Sequence, residues 1–155
     1  MCSSDLLGGN VTEKSASSLI PFFHLRMKDQ IQTSEKTLWY MTTEVLSRSI
    51  FQGLEVNDGL DFWQNFPPIL ASHNFESTND EIEAIAYNQG SDIVPLMFLG
   101  EKQGIRSAVW TSLDFATIHH RLFGTDYSKI FPELWTRLFS WLLKTGGDKI
   151  GRAHV

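Results

Sequence analysis

The chain of 155 residues is long enough for one domain with a hydrophobic core of its own. Its 13 Lys and Arg and 18 Asp and Glu give a formal net charge of −5, and the basic residues form no stripe. We therefore predict no nucleic-acid partner. The single cysteine excludes an internal disulfide, and no apolar run is long enough for a membrane segment.

Both ends of the sequence read as translated sequencing adapter. Residues 150–155 (IGRAHV) are the translation of ATC GGA AGA GCA CAC GTC, a common adapter sequence, and the next adapter codon is a stop. Residues 1–6 (MCSSDL) are the translation of the reverse complement of the same type of adapter when GTG is the start codon. We therefore expect residues 7–149 to be a partial domain of a larger protein, with a genuine short protein as the alternative. The compartment stays unknown: cytoplasmic by default, with a membrane-associated parent left open.

In the first half of the chain, short apolar segments alternate with polar loops. Three of these segments predict strands: 6–9 (LLGG, running into a tight glycine turn), 22–27 and 37–43. Two short helical elements are predicted next. One is a turn closed by Gly53, and the other is capped by Asn57 or Asp58 and runs through Trp63.

The second half of the chain is β-like until its last element. Four short runs predict strands: 69–75, 83–87, 94–100 and 105–112. The last two flank EKQG and predict a hairpin. A final helix starts near Pro132 and ends at Gly146-Gly147, because apolar residues recur between them at helical spacing. The mixture of strands and helices predicts an α/β fold.

The order of several stretches resembles that of one family. LLGG, SLIPFFHLRM, SRSIFQGLE, DFWQNFPPIL, VPLMFLGEKQGIRSAVWTSLD and FPELWTRLFSWLL are similar, in this order, to glutamine-amidotransferase-like domains of the class I glutamine-amidotransferase superfamily. The resemblance covers most of residues 6–143. It implies a flavodoxin-like parallel sheet with flanking helices, incomplete at the N-terminus. Trehalose-utilisation-like domains share the order of the late motifs.

The sequence departs from the family pattern at three points. Arg48-Ser49 stands where the family has His-Pro, Gln103 replaces a small residue, and His120 stands where a tryptophan is usual. A class I glutaminase also needs a cysteine on a strand-to-helix elbow. Cys2 lies in the adapter-like end, and the glycine turn carries no nucleophile. We therefore lean towards a chain without glutaminase activity.

Asp114, His119 and His120 are the candidate catalytic residues. The two histidines follow a predicted strand end, where α/β folds place their sites, and Asp114 is near enough in sequence to orient one of them. The structural alternative is that one histidine packs against the last helix and the other is exposed. Adjacent histidines on a strand point to opposite faces, so joint metal binding would need a loop or helix there. We predict no metal and no cofactor.

Other polar and aromatic residues are weaker candidates. His24 and His73 are isolated in the sequence, and we predict that they occupy ordinary packing or surface positions. Arg106 either holds an anion near the hairpin or points to solvent. Among the five tryptophans, Trp63 is the one expected to line a groove, because it lies beside Pro67-Pro68.

Two functions follow from these observations. The first is an amidotransferase-like binding or scaffold domain whose partner is another protein or the remainder of the same chain. The alternative is a hydrolase-like enzyme acting on a sugar or amide, whose site uses His119 or His120 and is completed by a missing N-terminal part.

Overall fold

The computed structural model describes residues 23–30, 35–54, 60–70, 73–112 and 114–143. The strands of these residues are β1 (Leu25–Gln30), β2 (Trp39–Met41), β3 (His73–Ser77), β4 (Ile82–Asn88), β5 (Pro95–Lys102) and β6 (Ile105–Trp110). The helices are α1 (Thr43–Leu46), α2 (Leu60–Trp63), α3 (Phe115–Leu122) and α4 (Ile130–Leu143). The chain is mixed α/β, as the sequence predicts.

The strands form two antiparallel sheets. One has four strands in the order β2-β4-β5-β6, and the other pairs β1 with β3. The parallel sheet implied by the family resemblance is therefore wrong for the described residues. Parallel neighbours need a crossover of a dozen or more residues, whereas β5 and β6 are joined directly by the turn at Gln103 and Gly104.

The two faces of the four-stranded sheet pack against different layers. On one face, the cross-strand pair Phe98 and Val109 packs with Leu25 and Phe75 of the two-stranded sheet. Because side chains alternate along a strand, the neighbouring pairs point the other way. These pairs join the cluster that contains the helices: Met97–Trp110 and Leu99–Ala108. The fold is thus a four-stranded sheet between a helical layer and a two-stranded layer.

The centre of the helix-facing core is an aromatic cluster around Trp39. Its ring lies 5.0 Å from that of Trp63, 5.5 Å from that of Trp110 and 5.7 Å from that of Phe66. The prediction that Trp63 lines a groove is wrong: this residue is 1% exposed. α2 ends at Trp63, and the turn after it brings Phe66 to the same cluster: the backbone N–H of Phe66 donates to the carbonyl of Trp63.

Several local predictions are confirmed. β5 and β6 form the predicted hairpin, with φ of 52° at Gln103 and 79° at Gly104, as a tight two-residue turn requires. The final helix is α4, and it buries Phe131, Leu134 and Leu138. The predicted run at 69–75 is divided instead, with an isolated bridge from Ile69 to Thr37 and then strand β3.

Other local predictions are wrong or lie outside the described residues. Helix α3 is absent from the predicted elements; it follows directly after Asp114, where the sequence suggests the end of a strand. The glycine turn at 6–9, the caps at 57–58 and the glycines at 146–147 lie outside the described residues. Among the helices that the structure describes, none has the length and hydropathy needed to cross a bilayer.

Candidate functional site

Asp114 occupies the N-cap position of α3, but its carboxylate does not cap the helix. Oδ2 of Asp114 lies 2.8 Å from Nζ of Lys36, and the Asp114 side chain is 20% exposed. The backbone carbonyl of Asp114 accepts hydrogen bonds from the backbone N–H and the hydroxyl of Thr117. The carboxylate therefore ties the start of α3 to the segment before β2.

His119 and His120 lie in the last turn of α3, and both are exposed. Their ring centroids are 5.8 Å apart. A helix rises ~1.5 Å per residue, so the backbone of His119 is ~7.5 Å along the axis from Asp114. The structure thus brings the two histidines together, while the Asp114 carboxylate pairs with Lys36 at the other end of the helix. The catalytic role of the three residues stays a prediction.

The histidine pair sits on a helix, which together with a loop is one of the two settings named above for joint metal binding. Three or more histidine, cysteine or carboxylate side chains are nowhere grouped for metal binding within the part of the chain that the structure describes. Cys2 lies outside those residues.

A cleft of about 510 Å³ opens elsewhere, at the end of the four-stranded sheet. Its walls come from four stretches of chain: the turns after α1, the β3–β4 turn with the start of β4, the end of β5 and the last turn of α4. Arg48, Asp80, Glu83, Gly100, Glu101 and Trp141 are among its lining residues, and the histidines of α3 are not. Sequence reasoning missed this cleft.

Two ion pairs involve residues that line the cleft. Arg48 pairs with Glu83, and both line the cleft. Nε of Arg106 donates to Oε2 of Glu101 at 2.8 Å, and Nη1 of Arg106 donates to the backbone carbonyl of Trp141 at 2.9 Å. The guanidinium also lies over the Trp141 ring, 5.2 Å from its centroid. Arg106 therefore does bind an anion, but this anion is the carboxylate of Glu101 in the same chain.

The lining of the cleft is acidic overall. Asp80 and Glu81 are exposed on the β3–β4 turn and form no ion pair with the other described residues. The remaining carboxylates of the lining are those of Glu83 and Glu101, each paired with an arginine. Within the described part of the chain, two carboxylates at the rim thus have no cationic partner, and this lowers the local electrostatic potential.

Gly100 is one of the lining residues of the cleft, and a side chain of the neighbouring strand packs closely against it. A Cβ placed on Gly100 would lie 1.9 Å from Cδ1 of Ile82, its cross-strand partner. The absence of a side chain at Gly100 therefore lets Ile82 pack directly over the strand. A glycine at the end of the predicted strand 94–100 is the sequence feature that could have indicated this close approach.

Two groups that lie outside the cleft and α3 have a pKa shifted by burial. His73 is 5% exposed, and burial lowers its pKa below the ordinary value of 6.5. Burial also raises the pKa of Tyr87, with further contributions from the charges of Glu83, Tyr40 and Glu44. His24, the other isolated histidine, is half-buried, and its Nε2 lies 3.5 Å from Nζ of Lys102.

No family model, curated protein or solved structure is significantly similar to this chain.

Proposed function

We propose that this chain is a binding domain of a larger protein, without glutaminase activity, and that the cleft beside Trp141 is its binding surface. The cleft is the observation that carries this proposal. Its volume of about 510 Å³ falls within the range of small-molecule sites, and it combines carboxylates, an arginine and an indole ring. Arg48 pairs with Glu83 of the same lining, and Arg106 pairs with the lining residue Glu101.

The arrangement at α3 favours this proposal over hydrolysis. A histidine that acts as a general base is oriented by an acid within hydrogen-bond distance. Here the candidate acid, Asp114, is engaged by Lys36, and both histidines are exposed at the opposite end of the helix. The hydrolase-like alternative requires residues outside the described part of the chain to complete such a site.

The resemblance to glutamine-amidotransferase-like domains rests on the order of the motifs alone. A flavodoxin-like core would need parallel strands from other parts of the parent protein, since the described strands pair antiparallel. The binding proposal does not depend on that core.

Nuclear magnetic resonance titration tests where the chain binds. Small amines, guanidines, sugars and carboxylates are added singly to the labelled 155-residue chain, and amide and indole shifts are recorded. We expect at least one class to shift the signals of Arg48, Glu83 and the Trp141 indole together. The indole of Trp110, which is buried and donates to Ser112, serves as an internal control. Shifts confined to α3, or no binding at millimolar concentration, would refute the proposal.

An activity assay tests the alternative. The chain is incubated with glutamine, amide and glycoside substrates, and the release of ammonia or of the leaving group is measured. We expect rates equal to the buffer blank. Turnover that disappears in both His119→Ala and His120→Ala, but persists in the surface variant Ser140→Ala, would establish the hydrolase-like function instead.

A further inference from the structure

We draw no further inference here: the strongest candidate, the exposed and uncharged face of α4 that includes Phe139 (47% exposed) and Leu143 (79% exposed), is an unpartnered apolar face, and nothing in the structure shows what covers it.

Discussion

Replacing Gly100 with alanine tests how tightly the cleft-side strands are packed. The new Cβ would lie 1.9 Å from Cδ1 of Ile82, whereas carbon atoms in contact are normally ~3.5–4.0 Å apart. The Ile82 side chain would have to retreat by roughly 1.5 Å or more to restore that spacing. Ile82 is 6% exposed and packs with Leu25, Phe75 and Phe98, so there is little space for this movement.

The expected cost of Gly100→Ala follows from this geometry. Overpacking of a buried site typically destabilises a protein by about 1–3 kcal/mol, and we expect a value within this range. The backbone contributes little to the cost, because Gly100 is an ordinary strand residue paired with Ile82 and Ser107. The free energy of unfolding is measured by urea denaturation, followed by tryptophan fluorescence and far-ultraviolet circular dichroism.

A second substitution identifies the clash as the cause. Ile82→Val removes Cδ1 and on its own is expected to cost about 0.5–1.5 kcal/mol. In the double variant, the Cβ added at position 100 occupies the volume that Cδ1 has left. The double variant should therefore be more stable than the sum of the single changes predicts, by about 1 kcal/mol.

Gly104→Ala is the matched control for this cycle. No atom lies within 4 Å of a Cβ at Gly104, but its φ of 79° disfavours alanine. Gly104→Ala should therefore destabilise the chain through backbone strain, and Ile82→Val should not rescue it. The reasoning is refuted if Gly100→Ala leaves the free energy of unfolding unchanged, or if Ile82→Val rescues both glycine variants equally.

Three further predictions concern the hairpin, the wall of the cleft and a buried histidine. Gln103→Asn should stabilise the chain by about 0.5–1 kcal/mol, because asparagine tolerates the φ of 52°; a lower urea midpoint would contradict this. Arg106→Ala removes the contacts with Glu101 and Trp141 and should lower the free energy of unfolding by about 1–2 kcal/mol. Amide hydrogen exchange at the end of α4 should also be faster in this variant. It should not be faster in the control Glu101→Ala, which keeps the hydrogen bond from Arg106 to the Trp141 carbonyl. Since the folded state lowers the pKa of His73, its neutral form is favoured. Above about pH 6.5, the neutral His73 makes its full contribution to the free energy of unfolding. That contribution declines as the pH falls from 6.5 towards the pKa of the folded state. Urea denaturation of His73→Gln at each pH tests this, and the same decline in that variant would show the explanation to be wrong.

The elements with strong local signals could be predicted from the sequence. EKQG between two apolar runs indicates the β5–β6 hairpin, and apolar residues at helical spacing after Pro132 indicate α4. Helix α3 has a weaker pattern, because its short sequence FATIHHRL mixes a β-branched pair with two histidines. Its helical state depends on burying Ile118 and Leu122 in the core, which is information from tertiary structure.

Strand pairing and the cleft depend on contacts between distant segments. β2 pairs with β4, and β1 with β3, across long stretches of chain, and no local pattern specifies those partners. The burial of Trp63 likewise depends on Trp39, so the neighbouring prolines alone lead to a wrong prediction. The cleft combines segments that are distant in the sequence, and the predictions from the sequence did not bring them together.

The indole cluster has a spectroscopic consequence. Trp39 lies 5.0 Å from Trp63 and 5.5 Å from Trp110, with interplanar angles of 51° and 86°. The electronic transitions of chromophores this close and inclined to one another are coupled. Coupled transitions absorb left and right circularly polarised light unequally, which is measured as circular dichroism. The three rings come from β2, α2 and β6, so their joint circular dichroism band arises only when these elements have assembled. The native chain thus carries an intrinsic optical signal for the assembly of its core, and no label has to be attached to observe it.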